Sequence, residues 1–278
     1  SYNWFNGVLS PSQGIIANVS GLNNFVVTGT GINGCLDTAS ISVQVDQLPN
    51  VVASSAFNSI CLGDSVLISA SGALNYQWGN GVQISNQYVS PTTIGNNSYI
   101  VTGSDVNSCS NSDTVNILVN SLPIAQVSAS DTNICINDTI TLLSSAASNY
   151  QWNNGSTSQS QTLILGNAGT TIFTVTIFDN NSCSATDSVI VNVNNNPTIS
   201  VSANNNNICI GESVTLSATG AINYLWDNGV TSSTQVITPS TSAILTYSVV
   251  GTDINSCSAN AQVNITVNPL PNTGPIFH

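Results

Sequence analysis

The sequence contains no lysine and no arginine, and its only histidine is His278. Twelve acidic residues therefore give a formal net charge of −12, although charged residues make up only 4% of the chain. Nucleic acids and anionic membrane surfaces attract proteins through lysine and arginine. The sequence thus predicts no nucleic-acid partner, and the solubility of the chain must depend on asparagine, serine, threonine and attached sugar.

The missing basic side chains also exclude most catalytic chemistry. A serine or cysteine nucleophile needs a neighbouring general base, and one histidine at the last position cannot supply it. The acidic residues are scattered at strand ends rather than paired as glycoside cleavage requires. Cys-x-x-Cys spacings of a zinc site are absent as well. We therefore expect the chain to be no enzyme and to need no cofactor.

Long apolar runs are absent too. No stretch approaches the roughly 20 residues of a membrane-spanning helix. No basic start followed by an apolar core marks a signal peptide. We expect this segment not to insert into a membrane, and we expect any export signal to lie outside it.

What the sequence does contain is a repeat of 74 residues. Three series of residues recur at this spacing: Trp4, Trp78, Trp152 and Trp226; Cys61, Cys135 and Cys209; and Cys35, Cys109, Cys183 and Cys257. A fixed period indicates an array of structural modules. The predicted divisions are a partial module at 1–49, complete modules at 50–123, 124–197 and 198–271, and the start of a further module or a linker at 272–278. We expect both ends of the chain to be cuts within a longer array.

Each module has the sequence pattern of a β-sandwich. Apolar residues alternate with polar ones, as at Val66, Ile68 and Ala70, which is typical of half-buried antiparallel strands. An Asn-Gly pair after each tryptophan, such as Asn80-Gly81, predicts a tight hairpin. Six or seven short strands predict two packed sheets, with the four tryptophans in the core. The short connections between modules favour an end-to-end rod.

Seven cysteines in modules this small favour a disulfide framework in an exported protein. The pattern from Cys209 to Ala218, with Tyr224, Trp226 and the run from Tyr247 to Cys257, resembles the tandem immunoglobulin-like and PKD-like modules of large surface adhesins and gliding-related proteins of Bacteroidota. The resemblance covers the whole chain. It implies an all-β, extracellular, cell-surface repeat protein delivered by the type IX route. Its partners would be neighbouring modules of the same longer chain and other chains of a surface filament.

Two functions remain open from the sequence. The first is a structural stalk or filament segment of a large exported adhesin, made of disulfide-stapled modules. The second is a spacer or carbohydrate-binding array within a secreted polysaccharide-degrading enzyme. Solvent-facing tryptophans would favour the second function.

Acidic residues suggest two kinds of site. Asp105, Asp179 and Asp253 recur in one turn of each complete module, where calcium at a module junction is conceivable, although aspartate at turns accounts for them without metal. An Asp-(Ser/Thr)-small-apolar motif similar to the O-glycosylation sequon of that phylum also recurs. Its five candidate acceptors are Thr38, Ser65, Thr114, Thr139 and Ser188.

The resemblance leaves two ways of pairing the cysteines. One bridge per module would join Cys61 to Cys109, Cys135 to Cys183, and Cys209 to Cys257. In an immunoglobulin-type sandwich, however, those partners lie at opposite ends of the module, too far apart for a bridge. Pairing between neighbouring modules, Cys61 with Cys183 and Cys135 with Cys257, fits that topology better. We expect the second pairing and keep the first as the alternative.

Overall fold

The computed structural model describes residues 1–272 and Gly274. The chain divides into two compact units, Ser1–Leu122 and Pro123–His278. All regular structure in the described residues is β-strand, so they contain no helix that could span a membrane.

The first unit contains ten strands, of which the first three belong to the partial repeat. They are β1 (Tyr2–Trp4), β2 (Gly21–Thr30), β3 (Leu36–Val45), β4 (Val52–Ser55), β5 (Ser59–Cys61), β6 (Val66–Ser71), β7 (Asn75–Trp78), β8 (Asn86–Val89), β9 (Gly95–Ser104) and β10 (Ser110–Asn120).

The second unit contains two complete repeats of seven strands each. The third repeat has β11 (Val127–Ala129), β12 (Asn133–Cys135), β13 (Thr139–Ser144), β14 (Asn149–Trp152), β15 (Ser160–Ile164), β16 (Gly169–Phe178) and β17 (Ser184–Asn194). The fourth has β18 (Ser200–Ala203), β19 (Asn207–Cys209), β20 (Val214–Thr219), β21 (Asn223–Trp226), β22 (Thr234–Ile237), β23 (Ile244–Thr252) and β24 (Ser258–Asn268).

Every complete repeat pairs a three-stranded sheet with a four-stranded one. In the second repeat the orders are β4-β6-β8 and β5-β10-β9-β7, and the third and fourth repeats have the same orders. All pairs are antiparallel except the short edge strand, which runs parallel to the last strand, as β5 does to β10. The modules are therefore tandem immunoglobulin-like β-sandwiches.

The Asn-Gly turns differ from the sequence prediction. The turn closes as expected, with Gly81 at φ 88° and its N–H donating to the Trp78 carbonyl oxygen at 2.8 Å. However, β7 pairs with β9, while β8 pairs with β6 in the other sheet. The turn therefore carries the chain from one sheet to the other. The predicted hairpin is wrong because local turn chemistry fixes a chain reversal and not the partner of the next strand.

The inward-facing residues of the two sheets form one core per complete repeat, and a tryptophan lies in each core. The three tryptophans of the complete repeats, Trp78, Trp152 and Trp226, are at most 2% exposed. Their indole N–H groups donate to main-chain carbonyl oxygens six residues further on, at 2.8 to 3.0 Å. These rings are therefore core residues with a satisfied polar atom.

The partial repeat is an exception to the predicted core. Trp4 makes the same type of bond, to the Ser10 carbonyl oxygen at 2.8 Å, but remains only half-buried. Residues 1–49 form a single sheet, β1-β2-β3, in the described structure. The prediction that Trp4 is a core residue is not met within residues 1–49, where one sheet covers one side of the ring.

Candidate functional site

The most specific chemical feature of the second unit is a disulfide bond between consecutive repeats. Cys135, at the end of β12, is bonded to Cys257, in the turn between β23 and β24, with a Cα–Cα distance of 5.5 Å. Cys257 is fully buried. The bridge therefore joins the third repeat to the fourth across a sequence separation of 122 residues.

A carboxylate holds the turn that carries Cys257. The Oδ1 atom of Asp253 accepts hydrogen bonds from the backbone N–H groups of Asn255 and Cys257, both at 2.9 Å. The Asp253 N–H donates in turn to the Cys257 carbonyl oxygen at 2.9 Å. Ser256 between them has φ 65°, in the left-handed region. These contacts fix the backbone conformation around Cys257 independently of its disulfide bond.

A second carboxylate holds Cys135. The Cys135 N–H donates to Oδ2 of Asp138 at 2.9 Å, and the Asp138 N–H donates to the Cys135 carbonyl oxygen at 3.0 Å. The hairpin on the other side of the bridge lies close to the connection between the repeats, because Asp253 and Asn255 line the same surface depression as Gly169 and residues 194–197. Both cysteines are therefore placed by local turns at the facing ends of two sandwiches.

The same two turns recur around the other cysteines of the complete repeats. Asp105 and Asp179 accept bonds from the N–H groups of Cys109 and Cys183, and Asp64 and Glu212 accept bonds from those of Cys61 and Cys209, at 2.8 to 3.1 Å. The structure thus places the three calcium candidates Asp105, Asp179 and Asp253 as caps of the cysteine turns. Nowhere in the described residues do three or more His, Cys, Asp or Glu side chains form a group that could hold a metal ion.

The alternative cysteine pairing is wrong. Cys109 and Cys209 are free thiols, and Cys135 is bonded to Cys257 rather than to Cys183. Strand register gives the reason: in the fourth repeat β19 pairs with the far end of β24, so that Cys209 lies opposite Asn268 while Cys257 precedes the first residue of β24. About ten strand residues at roughly 3.3 Å each separate the two positions.

The other cysteines fall into two groups. Cys61 and Cys183, the other pair expected from the sequence, are each disulfide-bonded. Cys35 is free and exposed. Burial and the nearby carboxylates of Asp105 and Asp46 raise the pKa of the Cys109 thiol. The raised pKa leaves less of the Cys109 side chain as the reactive thiolate at neutral pH.

Sequence reasoning missed a second role of the acidic residues. Oδ2 of Asp113, on β10, accepts a hydrogen bond from the N–H of Ala53, on β4, at 2.7 Å. Asp187 makes the same contact with Val127 at 2.8 Å. The backbone N–H groups of Ala53 and Thr114 lower the pKa of Asp113. Each carboxylate thus links the two sheets of its sandwich.

The alternation of inward-facing and outward-facing residues along the strand could have identified these carboxylates from the sequence. Asp113 is in phase with Val115 and Ile117, which face the core. An acidic side chain at an inward position needs a donor, and an edge strand has free N–H groups to offer. Its neighbour in the sequence, Thr114, faces outward.

The five candidate glycosylation acceptors all lie at the surface. The structure leaves the side chains of Thr38, Ser65, Thr114, Thr139 and Ser188 exposed. Thr38, Thr114 and Ser188 lie on strands β3, β10 and β17, and Thr139 is the first residue of β13. The acceptors are therefore spread over several faces and do not form one site.

Known structures with a similar arrangement are tandem β-sandwich arrays. A Ca²⁺-stabilized adhesin with which an Antarctic bacterium binds ice is 12% identical, with a TM-score of 0.37, and the match covers 89% of this chain and 82% of the adhesin. Three immunoglobulin domains of titin are 13% identical, with a TM-score of 0.36, and coverage of 80% and 99%. Eight domains of the Down syndrome cell adhesion molecule are 12% identical, with a TM-score of 0.34, over 96% of this chain and 44% of that one.

No protein-family model and no curated protein sequence matches this chain. The TM-scores of the three similar structures are below 0.5, so these likenesses carry no inference about function. The assignment of immunoglobulin-like sandwiches rests on the strand orders, which repeat three times within the chain.

Proposed function

We propose that this chain is a tension-bearing segment of an extracellular stalk, part of a large exported cell-surface adhesin of the Bacteroidota type. The observation that carries the proposal is the covalent link between consecutive repeats at Cys135 and Cys257. A bridge within one sandwich would strengthen that sandwich alone. A bridge between sandwiches resists their separation and their bending, which is what a stalk requires. The proposal assigns no catalytic step to the chain.

The bridge changes the path that a pulling force takes. When the chain is pulled at both ends of the second unit, tension passes from Cys135 through the two sulfur atoms to Cys257. The 122-residue stretch from one cysteine to the other is then removed from the path. At roughly 3.4 Å per extended residue, this stretch would otherwise add about 40 nm of length. The third and fourth repeats are thereby protected from mechanical unfolding by extension.

Single-molecule force spectroscopy tests this proposal. Handles attached at positions 123 and 271 of the full chain apply force across the second unit alone. We expect the oxidised chain to unfold with about 40 nm less extension than a Cys135→Ser, Cys257→Ser double variant. The matched control is Cys209→Ser, which removes a free thiol of the same unit and should keep the short extension. Equal extensions for the oxidised chain and the double variant would contradict the proposal.

The second candidate function, a carbohydrate-binding array in a secreted enzyme, has less support. Solvent-facing tryptophans would have favoured this function, but Trp78, Trp152 and Trp226 lie inside the sandwiches. A passive spacer in such an enzyme would not need a covalent bridge between its repeats. The bridge and the buried rings together favour the stalk.

We also propose that the stalk carries O-linked sugar on Thr38, Ser65, Thr114, Thr139 and Ser188. Their exposure supports this assignment, as does the low charge of the chain, because sugar would supply the hydration that charged groups usually give. Mass spectrometry of the protein from its natural source is the test, in which the masses of the peptides that carry these five residues are compared with those of the bare sequence. Ser188→Ala should remove one glycan mass, while Thr186→Ala, an exposed control without a preceding aspartate, should remove none. Peptide masses equal to those of the bare sequence would exclude the modification.

A further inference from the structure

The first strand of each complete repeat is an edge strand that pairs with one neighbour. It lies at the end of the three-stranded sheet, in the orders β4-β6-β8, β11-β13-β15 and β18-β20-β22. We call residues 50–55, 124–129 and 198–203 the leading segments, because each contains one of these strands. Repeats joined in one chain are prone to exchange such an element with a neighbour of the same fold. Strand order alone would allow the leading segments of the third and fourth repeats to change places.

The leading segments of these two repeats differ in how they pack on the four-stranded sheet. In the fourth repeat, Gly251 on β23 makes room for Ile199, since a Cβ atom built on the glycine would be 2.4 Å from the Ile199 Cδ1 atom. The third repeat exchanges the sizes: Ile177 on β16 is fully buried, and the leading segment contributes Ala125 to the same core. Each combination pairs one small residue with one large residue, as a close-packed interior requires.

A second difference lies in the path of the backbone. In the fourth repeat, Gly220 has φ 101°, and a Cβ atom built on it would be 2.0 Å from the carbonyl oxygen of Thr198. The third repeat has Ala146 at the position of Gly220, so its leading segment cannot come as close there. Instead, the Ser145 hydroxyl donates to the Ile124 carbonyl oxygen at 3.0 Å. The two leading segments therefore reach their sheets along different paths.

The second repeat has the same form as the fourth. Gly103 lies beside Val51, whose Cγ2 atom would be 2.7 Å from a Cβ atom on the glycine. Gly72, with φ 86°, lies against the Asn50 carbonyl oxygen, which would be 1.8 Å from its Cβ atom. The two forms of the contact therefore alternate along the three complete repeats.

We propose that these contacts keep each leading segment in its own repeat, by making exchange between consecutive repeats unfavourable. If the leading segment of the fourth repeat entered the third, Ile199 would overlap with Ile177. The Thr198 carbonyl oxygen would also overlap with the Cβ atom of Ala146. Such overlaps force side chains out of their preferred rotamers and shift the backbone.

The reverse exchange is opposed by a cavity. If the leading segment of the third repeat entered the fourth, Ala125 would leave empty the space beside Gly251 that Ile199 now fills. A cavity in a core destabilises it, because the surrounding structure relaxes only in part. Both directions of exchange are therefore unfavourable, and the repeats can share one strand order without sharing their strands.

The test converts one repeat to the form of its neighbour in the full chain. The first converted chain gives the third repeat the contacts of the fourth, with Ala125→Ile, Ala146→Gly and Ile177→Gly. The second converted chain gives the fourth repeat the contacts of the third, with Ile199→Ala, Gly220→Ala and Gly251→Ile. A combined chain carries all of these substitutions, so that its two repeats again differ in form.

An engineered disulfide bond reports exchange. Ser128 lies opposite Leu143 in the third repeat, and its equivalent Ser202 lies opposite Ser217 in the fourth. Ser128→Cys and Ser217→Cys can therefore bond when the leading segment of the third repeat has entered a fourth repeat, in the same chain or in another. The matched control, Ser128→Cys with Leu143→Cys, bonds in the native arrangement. Each chain is refolded from urea with its thiols reduced and then oxidised, and peptide mapping measures the bonded fraction.

We expect the exchange bond to be rare in the parent chain and about tenfold more abundant in each converted chain, the factor expected for one mismatched core side chain. In the combined chain, the exchange bond should return to the parent level, although this chain carries twice as many substitutions. A general loss of stability would instead increase exchange further. The combined chain therefore separates specific recognition from destabilisation.

Three results would overturn the proposal. The first is an exchange bond that is no more abundant in the converted chains than in the parent chain. The second is an exchange bond that is as abundant in the combined chain as in the converted chains. The third is failure of both converted chains to fold, seen as loss of the control bond, because the two forms would then not be interchangeable sets of contacts.

Discussion

At the scale of single residues, the acidic side chains explain more of this molecule than their small number suggests. The sequence has no lysine or arginine, and many of the carboxylates accept hydrogen bonds from backbone N–H groups instead. Some fix the turns that carry the cysteines, as Asp253 does for Cys257. Others link the two sheets, as Asp113 does. Several of the carboxylates that give the charge of −12 therefore stabilise the fold. Because protonation would weaken their hydrogen bonds, we expect the fold to be sensitive to acid.

Asp113 gives a prediction about pH. Its pKa is lowered in the folded protein by the Ala53 and Thr114 N–H groups. Its contribution to stability is therefore present above the unfolded pKa, about 3.9, and is lost as the pH falls through the lower folded pKa. Asp113→Asn should reduce the free energy of unfolding of the first unit at pH 7, and the difference from the parent chain should shrink in strong acid. Urea unfolding at a series of pH values measures this.

Asp37→Asn is the matched control for Asp113→Asn, because the exposed Asp37 side chain bonds only to the N–H of its neighbour Thr38. It should leave the pH dependence close to that of the parent chain. A difference between Asp113→Asn and the parent that persists unchanged into strong acid would mean that the charge of Asp113 does not stabilise the fold.

At the scale of elements, the turn between the last two strands of each repeat sets the register and places a cysteine. In the fourth repeat this turn contains Asn255 followed by Ser256, and Ser256 has φ 65°. The partial repeat has Gly34 at the position of Ser256, with φ 81°. A left-handed backbone costs a residue with a side chain about 1 to 2 kcal/mol, while glycine loses about 0.5 to 1 kcal/mol through its larger unfolded-state entropy.

Ser256→Gly should therefore stabilise the fourth repeat by up to about 1 kcal/mol, because the backbone strain is removed at a smaller entropic cost. Ser256→Val, which is larger and β-branched, should destabilise it by about 1 to 2 kcal/mol. Thermal unfolding of the oxidised protein measures both variants. If valine were tolerated as well as glycine, the turn conformation would not be what holds Cys257 in place.

At the scale of the whole molecule, the 74-residue repeat organises the chain. The three complete repeats bury their tryptophans, and a disulfide bond joins the third repeat to the fourth. Because the cysteines recur with the repeat, the period places the two partners of that bond at the facing ends of consecutive sandwiches.

The sequence by itself determined the repeat, the strand alternation and the identity of the core tryptophans. These properties are local or periodic, so spacing alone reveals them: Trp78 recurs at Trp152 and Trp226, and alternation at Val115 and Ile117 identifies the inward side of a strand. It also predicted that Asp105, Asp179 and Asp253 lie in turns. It did not predict that the Asn-Gly turn leads to the other sheet.

Only the tertiary structure decided which groups meet. Asp113 reaches Ala53, 60 residues earlier, because two sheets pack face to face. The sequence left two cysteine pairings open and favoured Cys135 with Cys257; the structure confirms that bond, and the pairing of β19 with the far end of β24 keeps Cys209 away from Cys257. Trp4 is half-buried although its sequence surroundings match those of Trp78, because one sheet cannot enclose a ring. Each of these contacts depends on how strands and sheets are arranged in space, and the spacing of residues along the chain does not give that arrangement.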